Sequence, residues 1–594
     1  MHGYMGKILR VDLTAGTVWD EPLNEAYARE FVGGSGLAAR YAADLVTAET
    51  DPLGPENPLI FMTGPLVGTA MPSAGRYSVG ALSPATGLWG EANGGGFFGP
   101  ELRFAGYDGI IITGKSDCPV WLSISEGEAI LYEATDLWGL DSYATQKCVR
   151  GLMGESRARV ACIGQAGEHL AAMAAIMNDH GRAAARTGMG AVMGAKKLKA
   201  IGVRGKARVP VADAKALNAL SKAIVDGLQE DMAAMSIQMA GTAGYVDMAL
   251  MYGDMPIRYY QQDAWDEGSN LSGILMLDAF QNRTLACYRC PIACGRETRA
   301  PSYGVDKVDG PEYETLGALG SLVMVADQEA VIYAGHLCNV YGLDTISAGA
   351  TIALACELFE RGMLTPEDTS GLEIRYGDAA MFHRLLGMMA NREGFGALLA
   401  DGSYALAKHF GVPELAVTVN RLEVPMHDPR AFSGMAAVYA LSPRGACHMQ
   451  GDMYGVDTGQ GPAYELGITP GERFESSEGK GRIAARQQAW RTLYNALILC
   501  QFQNPGVERV LAALNAVTGW NLAVDDLLPF GKRILTLKRR LNLRRGLTRA
   551  DEQMPALLRQ PLDGGTEGHV PDLDALLAGA YAEYGWDLET GAPF

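Results

Sequence analysis

Three things are in short supply in this chain, and each shortage removes a class of protein. Basic residues are outnumbered, with 50 Lys and Arg against 68 Asp and Glu, a net charge of -18 and a pI near 5.0. A protein that tracks a phosphate backbone carries a basic face and a high pI, so no nucleic-acid partner is expected. Long apolar runs are missing too. No stretch approaches the ~18 residues needed to span a bilayer, and MHGYMGKILRVDL at the amino end lacks the three regions of a secretory signal. These readings predict a cytoplasmic protein with no membrane span. Cysteine is scarce, ten in 594 residues, with three packed together and the rest scattered. That is not the pattern of a disulfide-stapled extracellular scaffold.

Glycine is in excess, at 74 of 594 residues, about one in eight against a usual ~7%. No Gly-X-Y period appears. The glycines cluster in GGSG (33–36), GEANGGGFFG (90–99) and RTGMGAVMG (186–194), as close approach of backbone to a ligand requires. With 48% hydrophobic residues the chain can build several cores. The first ~210 residues read as short β-rich runs closed by Gly, Pro or Asp, beginning with a hairpin through Thr14 and Ala15. From about 211 the apolar spacing turns helical, and GVPELAVTVNRLEVPMHDPR (411–430) reads as an extended crossing into a third, largely helical part. The basic stretch KRILTLKRRLNLRRG (532–546) reads as a solvated or salt-bridging helix face. The predicted fold class is α+β: a sheet-rich domain over 1–210, then two mainly helical domains over 211–417 and 418–594.

The sharpest local signal is ACYRCPIACGR, which sets Cys287, Cys290 and Cys294 in a Cys-x2-Cys-x3-Cys pattern. Three thiolates at this spacing can face one centre and need a fourth ligand from elsewhere to close a zinc site or a four-iron cluster. Spacing alone leaves zinc and iron–sulfur both open, and no nearby His or second Cys pair suggests a zinc ribbon. GGSGLAA could pass for a dinucleotide loop, but the segment before it, NEAYAREFV, reads as helix where that fingerprint requires a strand.

The chain resembles the tungsten-containing aldehyde ferredoxin oxidoreductase family over nearly its whole length. The match runs from MGKILRVDLTAGTV through GRYSVGALSPATGLWGEANGGGFFGPELRFAGYDGIIITGK, GRAAARTGMGAVMGAKKLKAI, CYRCPIACGR, GPEYETLGALGS and NVYGLDTISAGATIAL to LILC. The resemblance implies a tungsten ion, or molybdenum in its place, held by the dithiolenes of two pyranopterins beside one 4Fe–4S cluster. It assigns Cys287, Cys290, Cys294 and Cys500 to the cluster and makes the sheet-rich domain the pterin saddle. Arg76 would lie between cluster and pterin. Asn93, Gly95 and Ala183 would lie around the pterin phosphates and a bridging Mg2+, with Arg182 and Arg186 adding positive charge there.

Two family motifs of the form Asp-x-x-Gly-Leu-Asp/Cys are altered. The first reads NVYGLD, with Asn339 replacing the leading Asp and Asp344 retained; the second reads NALILC, with Asn495 in the Asp position and Ile498 in place of Gly. A neutral amide still accepts a hydrogen bond but supplies less charge to a pterin ring. The resemblance further gives Glu312 and His448 as proton carriers at the metal, with Glu314 an alternative carboxylate. Cys356 and Cys447 read as packed core thiols, His448 pointing away from Cys447 if the segment is extended. Some relatives dimerise through a metal on a Glu-x-x-His pair; here Glu329 and His336 are seven apart, which argues against that bridge and leaves a homodimer open. The implied activity is oxidation of aldehydes to carboxylic acids, with ferredoxin or an iron–sulfur subunit as electron acceptor. The alternatives are a reductase acting on a carboxylate or aromatic acyl-CoA, and a non-catalytic iron–sulfur or zinc scaffold.

Overall fold

The computed structural model describes residues 1–593. Its first large sheet is built from β1 (Lys7–Asp12), β2 (Thr17–Pro22), β3 (Leu59–Met62), β4 (Tyr77–Leu82), β5 (Trp89–Gly94) and β6 (Gly109–Thr113), in the spatial order β2-β1-β6-β3-β4-β5. The hairpin expected at Thr14 and Ala15 is β1 paired antiparallel with β2. β6 reads GIIIT with no alternation because it runs between β1 and β3 and is covered on both faces. Ile111 joins one hydrophobic core while Ile110 and Ile112 join another, and each such burial is worth ~1.5–3 kcal/mol.

A second six-stranded sheet takes β7 (Val120–Ser125), β8 (Glu128–Glu133), β9 (Arg159–Cys162), β10 (Ile176–Asn178), β11 (Arg182–Ala184) and β12 (Leu198–Arg204), in the order β11-β10-β9-β12-β7-β8. The short edge strand β11 carries Arg182 and Ala183, so this sheet holds the GRAAAR segment at its rim.

From Ala214 onward the chain is mostly helical, with one departure from expectation. A three-stranded antiparallel sheet over Gln281–Leu285, Gly295–Ala300 and Val305–Asp309 lies inside the region read as helix. QNRTL and VDKVD are polar and largely exposed, so no apolar alternation marks them as strands. The cysteine loop connects the first two of these strands. The crossing at 411–430 contains a small hairpin of Thr418–Val419 with Leu422–Glu423.

Two helices follow one another at Gln328–Tyr341 and Thr345–Glu360, and Cys356 on the second is fully buried, as its apolar neighbours predict. The helix Glu478–Leu497 packs against Leu527–Arg544, Leu573–Tyr584 and the amino-terminal helix Gly34–Leu45. At the last contact Gly34, with φ of +43°, lies so close under the Asn495 carbonyl that a side chain there would collide. GGSG therefore serves helix packing. The basic stretch is a salt-bridging face: Lys538 is buried 2.5 Å from Glu91, and Arg539 pairs with Glu552. Among the described residues no single helix is long and apolar enough to cross a membrane.

Candidate active site

A cavity of about 710 Å³ and a narrower slot of about 170 Å³ lie where the sheets meet the helical parts. They share Arg76, Ala183, Arg186, His448 and Cys500 as walls.

Cys287, Cys290, Cys294 and Cys500 all line the larger cavity. Left-handed backbone at Arg289 and Ala293 turns the cysteine loop, and two loops of the first domain bracket it. The Gly96 amide donates to Cys287 Sγ at 3.2 Å, the Ser73 hydroxyl to Cys290 Sγ at 3.4 Å, and the Cys500 amide to the Ser73 carbonyl at 3.0 Å. A Cβ on Gly95 would sit 3.1 Å from Cys287 Sγ and 3.3 Å from Arg76 Nη1, so glycine keeps this wall thin. Burial pushes the Cys294 thiol well up and the Cys500 thiol to about 11. Thiolates here therefore require a cationic centre to hold them.

Around the slot, Arg76 donates from Nε to the Asn93 side chain at 2.6 Å and from Nη2 to the Asn93 carbonyl at 2.8 Å. Burial acts to lower the pKa of Arg182, but Cys287, Glu312 and Cys294 outweigh it and raise the value. Arg186 donates from Nη2 to the Glu423 and Ala446 carbonyls and its Nε lies 3.4 Å from Asp344, while its Nη1 lacks a hydrogen-bond partner, as does Arg444 Nε. Buried guanidinium donors left open beside a cavity suit an anionic ligand.

The two altered motifs end two helices in the same way. Gln328–Tyr341 stops at Gly342 (φ 75°, ψ 49°), and Glu478–Leu497 stops at Ile498 (φ 60°, ψ 36°). Asn339 lines the larger cavity and donates to the Asp309 carbonyl at 3.0 Å, while Asn495 lines the slot. Asp344 caps the next helix and accepts the Ser347 hydroxyl at 2.7 Å.

Glu312 and His448 both line the larger cavity, but Glu314, the alternative carboxylate, is the one beside His448. Glu312 precedes the helix Tyr313–Leu319; its side chain, 41% exposed, accepts from the Thr242 hydroxyl at 2.5 Å and lies 3.7 Å from Arg182. Two positions along a helix is a turn of about 200°, so Glu314 faces the other way. Glu314 Oε1 is 3.2 Å from His448 Nδ1 and 3.6 Å from His427 Nε2, and its Oε2 accepts the Met426 amide at 2.9 Å. Burial raises the Glu314 carboxyl above its usual range. Burial also holds His448 well below the ordinary imidazole value, reinforced by His427, Arg186 and Arg444. His427 Nδ1 lies 2.7 Å from Asp254, a contact between residues far apart in sequence that no motif announced.

Cys447, buried on extended backbone, accepts from Arg444 at 2.5 Å, while the His448 ring is directed to Glu314 in the larger cavity. Glu329 is held by Ser302, and His336 stacks against Tyr333, so the two are not brought together.

The family models described as aldehyde ferredoxin oxidoreductase, N-terminal domain, and aldehyde ferredoxin oxidoreductase, domains 2 & 3, match residues 8–205 and 219–594. The chain belongs to the aldehyde ferredoxin oxidoreductase family. It is 38% identical over 602 residues to the tungsten-containing aldehyde ferredoxin oxidoreductase of Pyrococcus abyssi, covering 100% of this chain and 98% of that one. The aliphatic sulfonate oxidoreductase WOR-like subunit of Pyrococcus furiosus is 31% identical, covering 100% and 96%. The solved active site complex BamBC of benzoyl coenzyme A reductase with 1,5-dienoyl-CoA superposes with a TM-score of 0.86 at 26% identity, covering 100% and 96%. As a member of this oxidoreductase family the chain is an enzyme, and its α+β architecture is the family's own.

Proposed function

We propose that this aldehyde ferredoxin oxidoreductase family member oxidises aldehydes to carboxylic acids with a tungsten bis-pyranopterin and passes electrons through a 4Fe–4S cluster to ferredoxin or a ferredoxin-like subunit. The observation that carries this reading is the meeting, on one cavity, of four cysteine sulfurs, the open buried guanidinium donor of Arg186 and the half-buried Glu314–His448 pair. The donor set fits the cofactors: four cysteine sulfurs on one cavity suit a four-iron cluster, and the unmatched Arg186 Nη1 and Arg444 Nε suit phosphate or dithiolene anions.

In this reading Cys287, Cys290, Cys294 and Cys500 hold the cluster, and Arg76 bridges cluster and slot. Asn93, Gly95 and Ala183 line the phosphate end with Mg2+, Arg182 and Arg186 neutralise it, and Asn339, Asp344 and Asn495 meet the pterin rings. Residues 1–210 form the saddle; 211–417 and 418–594 cover it. Molybdenum would be held by the same donors.

When bound, the metallopterin supplies two-electron redox capacity beside a one-electron relay. The chain's own task is to handle protons, since RCHO + H2O gives RCOOH + 2H+ + 2e−. His448, kept neutral by burial and nearby arginines, can take a proton at Nδ1, and Glu314 Oε1 at 3.2 Å can receive it. Glu312, beside Arg182 and the cluster cysteines, tunes charge on the electron-transfer side.

Anaerobically purified protein is expected to contain tungsten with about four irons per chain and to reduce a viologen dye with a panel of aldehydes. Zinc alone would overturn the reading and leave a scaffold. The likeness to BamBC favours a second reading, reduction of a carboxylate or aromatic acyl-CoA; reduced viologen oxidised by those substrates, with no aldehyde activity, would select it.

A further inference from the structure

Behind Glu314 the acid–imidazole alternation continues. Asp254 is fully buried; its Oδ2 lies 2.7 Å from His427 Nδ1 and accepts the Tyr245 hydroxyl at 3.0 Å. A carboxylate at Nδ1 fixes the tautomer, placing the ring proton on Nδ1 and turning Nε2 toward Glu314. Nε2 and Glu314 Oε1 face each other at 3.6 Å. At this separation no proton is shared directly, and each of the two atoms offers a vacant site that a proton can occupy. Asp254 Oδ1, Glu314 Oε1 and His448 Nδ1 are all buried without a hydrogen-bond partner, as expected of a string whose protons relocate.

The surroundings hold the ring without competing for the proton. Tyr454 stacks on His427 at 4.0 Å and 5°, Tyr313 packs at 4.9 Å, and the Tyr439 hydroxyl donates to the His427 carbonyl. The remaining nearby carboxylate, Asp452, is taken by Arg491 and Gln487.

The reaction RCHO + H2O + 2 ferredoxin(ox) → RCOOH + 2 ferredoxin(red) + 2H+ releases two protons, and a single carboxylate at Glu314 stores one. We propose that Asp254 positions His427 as a proton relay behind Glu314, with His427 Nε2 accepting the second proton of each turnover and giving it up to the cavity that His427 and Glu314 both line; this rests on the proposed aldehyde oxidation. Burial opposes an imidazolium at His427, but Asp254 and Glu314 outweigh it and raise its basicity.

His427→Gln and Asp254→Asn in the metal-loaded enzyme test this. With tungsten and iron contents unchanged, His427→Gln is expected to lower kcat on the order of a hundredfold and Asp254→Asn about tenfold, with KM nearly constant. The pH profile of kcat loses one ionisation, and an EPR titration shows the tungsten midpoint potential becoming less dependent on pH. Unaltered kcat, pH profile and potential in loaded variants overturn the relay. If His427→Gln loses its metals, Asp254→Asn decides by the same criteria; if both lose them, the residues are structural and the relay is overturned. Wild-type protein without tungsten or aldehyde activity instead defeats the proposed reaction, and the relay with it.

Discussion

The ends of the helices Gln328–Tyr341 and Glu478–Leu497 share a backbone and differ in chemistry. In each an Asn three residues before a left-handed stop faces the cavity or slot, and the decisive side chain comes two residues after the stop. At the first end that side chain is Asp344, which turns back to cap a helix and pair with Arg186. At the second it is Cys500, beside the cysteine loop. One turn geometry thus presents a carboxylate to one side of the cavity and a thiol to the other. The stop also differs: Gly342 adopts its conformation freely, whereas Ile498 holds a positive φ rare for a β-branched residue because its buried side chain packs over Gly34.

The largest test of this division is Cys500→Ser. It is expected to drop iron below about four per chain and aldehyde-driven viologen reduction on the order of a thousandfold, ~4 kcal/mol of barrier; retention of a full cluster would break the comparison. Asp344→Asn should leave iron content intact but cost about 3 kcal/mol in urea unfolding, because buried Arg186 loses its counter-charge. Equal iron loss in both variants would mean that the ends do not act separately. Asn339→Asp removes the amide donor to the Asp309 carbonyl and sets two acceptors together, for about 1.5 kcal/mol by the same measurement. Smallest is Gly342→Ala, about 1 kcal/mol from the left-handed backbone alone, read as a shift in the denaturation midpoint.

Much of the frame was legible because its signals are local. Apolar strands closed by Gly or Asp mark the first sheet, three-and-four spacing marks the long helices, and the cysteine triplet marks its loop. The sheet at 281–309 was not legible, since exposed polar strands carry no alternation. Glu312 and Glu314 could not be separated without knowing where the helix begins, as that sets which carboxylate turns toward His448. Asp254 and His427 left no trace because each is an isolated residue whose meaning arises only from contact across the fold. The Lys538–Glu91 pair was hidden in the same way: a basic run betrays charge but not the buried partner of one lysine.

That pair has a consequence for how the enzyme is made. Glu91 lines the slot and is gripped by Lys538 and by Gln450, both from the far end of the sequence. A ribosome-bound chain that has finished only the two amino-terminal sheets therefore carries a buried-to-be carboxylate with no counter-charge and a slot with no floor. The slot is complete only once most of the polypeptide has emerged, so under the proposed function cofactor insertion would follow synthesis.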